Sequence, residues 1–113
     1  MSTLFKKIIN KEIPSDIIYE TEHILCFKDK NSVAPKHYLI IPKKEIINVN
    51  HLEDGDKILI GELFLAAKHV AKLLGIDKNG YRLVINNNDD AGQTVFHLHV
   101  HILGGRKLTW PPG

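Results

Sequence analysis

The chain has 113 residues, of which 43% are hydrophobic and 25% charged, and its 15 basic and 13 acidic residues leave a net charge of +2. That fits a single globular domain over residues 1–113, long enough to bury a core without staples. The charge is too balanced to point to nucleic acid or a membrane surface. The single cysteine, Cys26, allows no intrachain disulfide, and no segment reads as a signal peptide or as the ~20 apolar residues of a membrane helix.

Residues 3–12, TLFKKIINKE, place Leu4, Phe5, Ile8 and Ile9 at helical spacing, with Ser2 or Thr3 as cap and Pro14 as the stop. Residues 16–29, DIIYETEHILCFKD, read as a hairpin broken at Glu20–Glu22. A loop at 30–35 leads to a strand at 36–42, KHYLIIP, which Pro42 ends. The longest element spans 56–74, with a stripe of Leu59, Leu63, Ala66, Ala67, Val70 and Leu74. Asp54 or Asp56 caps its start and Gly75 stands at its stop, giving about 28 Å of helix. Strands follow at 81–86 and 96–103, joined by the polar turn NNDDAGQTV. The pattern predicts an α+β domain: an antiparallel sheet of about five strands, one long helix and a short N-terminal helix.

The last strand carries HLHVHILGG, residues 97–105. Side chains alternate along a strand, so His97, His99 and His101 share one face, about 6.6 to 7 Å apart. Leu98, Val100 and Ile102 face the other way, where the long helix can cover them. Three readings compete. The histidines are incidental polar residues. They bind a metal such as zinc, although no carboxylate or CxxC partner is evident nearby. Or they serve nucleophilic and acid–base catalysis, in which neutral imidazole attacks and its neighbours hold its tautomer. Spacing alone leaves metal and catalysis nearly even.

The preceding loop favours catalysis. Asn86, Gly92 and Thr94 offer an amide, an approachable backbone and a hydroxyl, a neutral cradle for phosphate oxygens. Taken alone, the same residues make an ordinary hairpin loop.

The segment HLHVHIL matches the histidine triad pattern of three histidines separated by apolar residues. With KIINKEIPSDIIYE (7–20), APKHYLIIPKK (34–44), GYRLVINN (80–87), GQTVFHLHVHILGGR (92–106) and WPPG (110–113), the chain resembles the HINT branch of the histidine triad (HIT) superfamily. The likeness runs from Leu4 to Gly113. It implies a histidine triad fold and a homodimer whose sheets join edge to edge. It also implies a purine nucleoside phosphoramidase, cytoplasmic and in some relatives nuclear, that cleaves the P–N bond of AMP-amine and AMP-lysine compounds. Dinucleoside polyphosphate hydrolysis, or a nucleotide-binding scaffold with little turnover, are the alternatives.

The resemblance also implies roles. His99 is the nucleophile, and the His97 carbonyl orients its ring. His101 contacts phosphate and His37 is a fourth histidine of the site. Asn86, Gly92, Gln93 and Thr94 hold the phosphate and leaving group. Asp29 takes the ribose hydroxyls, with Lys30 and Lys28 beside it. Phe5, Ile8, Ile13, Phe27 and Leu39 line the base pocket. No metal or other cofactor is implied, because zinc would occupy the lone pair that the nucleophile needs. Asn87, Asn88, Ala91, Lys28 and Lys30 depart from close relatives and bear on substrate preference. Trp110 is expected near the partner's site, while His23, His51 and His69 lie outside the matched segments, His69 as a surface residue and His51 as a capping or hydrated loop residue.

Overall fold

The computed structural model describes residues 3–113. Its elements are α1 (Leu4–Ile9), β1 (Ile17–Glu20), β2 (Ile24–Lys28), β3 (Lys36–Pro42), α2 (Lys57–Leu73), β4 (Tyr81–Val84) and β5 (Val100–Gly104), with short 3-10 turns at 49–51, 54–56 and 89–91. The strands form one sheet in the order β1-β2-β3-β5-β4, and every neighbouring pair is antiparallel. This is the α+β architecture the sequence predicts.

Alternation sorts the sheet into two faces. Ile24, Cys26, Ile40, Val100 and Ile102 turn to α2 and pack with Leu63, Ala66, Ala67, Val70 and Ala71. Leu25, Phe27, Leu39 and Ile41 turn the other way and pack with Phe5 and Ile8 of α1. A six-residue helix is not stable alone. Burying Phe5 and Ile8 contributes roughly 1.5–3 kcal/mol each and fixes α1 against the sheet.

Helix ends follow local chemistry. The Thr3 hydroxyl accepts from the Lys6 N–H at 3.1 Å and caps α1, while Ser2 lies outside the described residues. The end of α1 corrects the sequence reading, because it comes well before Pro14. Lys11 is left-handed at φ 61°, and its N–H and that of Glu12 donate to the Ile8 and Lys7 carbonyls. That closes a Schellman turn without glycine. At the end of α2 the same turn uses Gly75 at φ 72°, where sequence placed the stop. At its start, Asp56 accepts from the Glu53 N–H at 3.0 Å within a 3-10 turn.

Two strands are shorter than sequence predicts. β4 ends at Val84 instead of residue 86, and β5 begins at Val100 instead of residue 96. Leu98 N–H donates to the Ile46 carbonyl at 2.6 Å, so the segment before Val100 is tied to the loop after β3 and not to the sheet. His101 therefore lies within β5, whereas His97 and His99 precede it. The C-terminal tail folds back on β4, where Arg82 Nη2 donates to the Thr109 carbonyl at 3.0 Å and the guanidinium lies 5.9 Å from the Trp110 ring.

Candidate active site

The site forms on the α1 face, where β3 and β5 bring histidines distant in sequence together. In register, Leu39 stands opposite His101 and His37 opposite Leu103. The His37 Nε2 and His101 Nδ1 atoms are 2.9 Å apart. His99 lies against His101 with ring centroids 5.1 Å apart, and Phe5 of α1 presses edge-on to the His99 ring at 5.0 Å.

Hydrogen bonds set the tautomers. His99 Nδ1 is 2.6 Å from the His97 carbonyl oxygen, which can only accept. Nδ1 therefore carries the proton, and the Nε2 lone pair of neutral His99 is free. The Val33 N–H donates to His37 Nδ1 at 3.1 Å, so His37 carries its proton on Nε2. That proton points to His101 Nδ1 at 2.9 Å and to Asp29 Oδ2 at 3.2 Å. With Nδ1 accepting, neutral His101 carries its proton on Nε2. His97 Nε2 donates to the Pro42 carbonyl at 2.7 Å, which leaves its buried Nδ1 without a partner among the described residues.

Burial keeps these rings neutral. Desolvation lowers the pKa of His97 and His99, against the carbonyls of Pro42 and His97 that favour the charged forms. Desolvation also lowers His37, opposed by the Asp29 carboxylate. For His101, desolvation and repulsion from protonated His99 or His37 bring the value down to about 4. Near neutral pH His99 thus offers a lone pair, the form a nucleophile requires.

Asp29 Oδ2, His37 Nε2 and His101 Nδ1 lie within 4.8 Å of one another and supply the carboxylate that sequence did not reveal. A cation bound there would need a bare His37 Nε2. The Val33 N–H on Nδ1 requires that Nε2 keep its proton, so the hydrogen bonds favour proton transfer over metal binding at this cluster.

Asp29, His99 and His101 open on a cavity of about 240 Å³, while His37 and His97 lie behind them and do not line it. Phe5, Ile8, Phe27 and Leu39 form its apolar side, and Asp29, Lys30, Thr94, His99 and His101 its polar side. Leu4, Ser15, Lys28, Asn31 and Val95 also line it. Ile13 does not line it and instead packs, half-buried, against the cluster that holds Phe5 and Ile8. Asn86 follows Val84, the residue opposite His101, by two positions but does not line the cavity. Gly92 sits outside it in the left-handed conformation at φ 81° that closes the 3-10 turn.

Gln93 is buried and faces inward. Its Nε2 donates to the Ile47 and Val95 carbonyls at 2.9 and 3.1 Å, and its Oε1 accepts from Asn88 N–H and Asn48 Nδ2 at 2.9 and 3.2 Å. All four hydrogen-bonding positions are filled, so its side chain has none left for phosphate. It anchors the loop that presents Thr94.

A family model described as HIT domain matches residues 10–108. The chain belongs to the HIT family. It is 54% identical over 111 residues, 98% of its own length and 96% of the relative's, to an uncharacterized HIT-like protein of Synechocystis. The crystal structure of a HIT family hydrolase from Legionella pneumophila superposes with a TM-score of 0.97 at 46% identity, covering 99% of this chain and 100% of that one. A histidine triad nucleotide-binding protein from Candida albicans gives a TM-score of 0.83 at 31% identity, covering 99% and 85%. Within this HIT domain, Leu4, Ser15, Asn31 and Val95 were missed by sequence reasoning. Asn31 lies in no quoted segment, Ser15 and Val95 lie within quoted segments without a role of their own, and Leu4 adjoins Phe5; only folding shows which of these face the cavity.

Proposed function

We propose that this HIT domain, like the HINT branch it resembles, hydrolyses purine nucleoside 5′-phosphoramidates through a covalent nucleotidyl-His99 intermediate. The observation that carries the reading is the free Nε2 of His99, held by the His97 carbonyl at the junction of an apolar and a polar cavity wall. The naming of the Legionella protein as a hydrolase and of the Candida protein as nucleotide-binding agrees with it.

In this reading the base lies among Phe5, Ile8, Phe27 and Leu39, the ribose reaches Asp29, and the phosphate meets Thr94, His99 and His101. The anionic phosphate raises the proton affinity of the His37–His101 pair beside it, so the pair holds an extra proton in the complex. His99 Nε2 attacks phosphorus and the P–N bond to the amine breaks. The leaving nitrogen takes the proton from the pair and departs as neutral amine. Water then attacks phosphorus, returns a proton to the pair, and breaks the bond to His99 to release the nucleoside monophosphate. One hard displacement becomes two easier ones. The test is hydrolysis of adenosine 5′-phosphoramidate, with and without EDTA, beside His99→Ala. Turnover that survives EDTA and disappears in the variant supports the reading. Loss to EDTA points to a metal enzyme, and binding of AMP without turnover points to a nucleotide-binding scaffold.

We also propose a homodimer. β4 is an edge strand, and Ile58, Phe64, Leu65 and Leu73 of α2 are exposed apolar residues. Sedimentation equilibrium should give about twice the 12.8 kDa chain mass; a 12.8 kDa species at micromolar concentration would refute it.

A further inference from the structure

Arg106 lies outside the cavity but is joined to it by a chain of hydrogen bonds. Its Nη2 donates to the Val33 carbonyl at 3.0 Å. The N–H of the same residue, Val33, donates to His37 Nδ1 at 3.1 Å, and His37 Nε2 meets His101 Nδ1 at 2.9 Å.

The local backbone explains how Arg106 reaches the loop. Gly105 is left-handed at φ 92°, and a Cβ there would stand 2.9 Å from Pro35 Cβ. The turn after β5 thus runs close over the loop between β2 and β3. That loop is otherwise fixed from its Asp29 end: Asp29 Oδ1 accepts from Asn31 N–H at 2.8 Å, and the Asp29 carbonyl from the Ser32 hydroxyl at 2.8 Å. At Val33, an exposed residue, the carbonyl has Arg106 as its partner.

We propose that Arg106 is a positioning residue for the reaction: by holding the Val33 carbonyl it steadies the residue whose N–H, in the preceding peptide unit, fixes His37, and through it His101, in the Nε2–H tautomer. Without Arg106, Val33 can swing away and His37 Nδ1 is free to take the proton. His37 Nε2 then accepts instead of donating. The His101 proton moves to Nδ1, so its Nε2 holds a proton for the leaving amine only once the pair has taken up the extra one, whereas the Nε2–H tautomer has it in place beforehand. The inference rests on the hydrolase reading for its catalytic consequence, but not for the tautomers themselves.

The test uses full-length ¹⁵N-labelled protein without ligand, in which long-range ¹H–¹⁵N correlations of the imidazoles distinguish the two tautomers. His37 and His101 of the wild type should each show the Nε2–H pattern. In Arg106→Met the His37 signals should move towards a tautomer average. The kcat on adenosine 5′-phosphoramidate should fall about 5-fold with KM within about 2-fold, the size of one ordinary solvent-exposed hydrogen bond. Arg106→Lys, which keeps a donor and charge, should restore part of both. Val33→Pro removes the N–H itself and should give the same mixed tautomer, and Arg106→Gln is the second route if the Met variant folds poorly. An unchanged His37 tautomer in folded Arg106→Met or Arg106→Gln protein overturns the inference, whatever Val33→Pro shows. The spectrum needs no substrate. A wild type that does not cleave, but whose His37 tautomer depends on Arg106, therefore overturns the hydrolase reading and upholds the tautomer control.

Discussion

His99 Nδ1 sits 2.6 Å from the main-chain carbonyl of His97, so the group that aims the proposed nucleophile is backbone. The His97 side chain has a separate task. Its ring, 1% exposed, donates to the Pro42 carbonyl and ties the pre-strand segment to the end of β3. His97→Ala should therefore cost about 2–4 kcal/mol in urea unfolding, from the emptied volume and the stranded carbonyl. It should retain kcat within about tenfold, because the orienting carbonyl remains. A loss comparable to that of His99→Ala, with stability unchanged, would assign the ring itself to the chemistry.

Gln93 tests a similar distinction between holding and binding. Its removal strands the Asn88 N–H, the Asn48 amide and two carbonyls. Gln93→Ala should cost about 2–4 kcal/mol. Gln93→Glu should cost at least as much, because a carboxylate cannot donate to the Ile47 and Val95 carbonyls and would be buried with its charge. Thermal and urea unfolding check both variants. A full-stability Gln93→Ala protein whose KM alone rises would return Gln93 to the phosphate site.

The fold was legible because its signals are local. The α2 stripe and the Gly75 stop specify the long helix and its buried face, and the apolar run KHYLIIP ended by Pro42 specifies a strand. The ends of β5 and α1 were not, because they depend on partners distant in sequence. Leu98 is drawn from the sheet by Ile46, and Lys11 adopts a left-handed turn that its residue type does not announce. In the site, the triad and His37 were legible as chemistry-bearing residues. The Asp29–His37–His101 cluster was not, because it forms only when β3 and β5 pair and the loop before β3 folds over. Gln93 looks like a ligand in sequence because an amide's partners cannot be read from its spacing.

The pH dependence of turnover follows from the burial of His99. Its pKa lies below the ordinary value of about 6.5 because desolvation disfavours the imidazolium. A nucleophile must be neutral, so His99 should impose no acid limb on kcat/KM above about pH 6.5, while the proton that the His37–His101 pair takes up on binding should make kcat/KM fall as pH rises towards 8. The check is a pH–rate profile with a phosphoramidate stable in that range. An acid limb centred above pH 7 would mean that His99 is easier to protonate than its surroundings allow.

The same burial links stability to pH, with a sign that can be worked out from His101. Its folded pKa is about 4, below the ordinary value near 6.5 of an unfolded histidine. Above pH 6.5 both states are neutral at this site and the penalty is absent. As pH falls, the unfolded chain takes up the proton first and is favoured, so stability declines from about pH 6.5 towards 4 and then levels for this group. His37, His97 and His99 are shifted in the same direction and add to the decline. The contribution of His101 is on the order of 2–3 kcal/mol across that window. Urea unfolding at pH 7.5 and pH 5 should show a lower midpoint at pH 5. His101→Gln, which cannot titrate, should narrow the gap between the two midpoints. An identical gap in the wild type and the variant would show that His101 takes up its proton equally readily in the folded and unfolded chains, against the neutral tautomer assigned to it here.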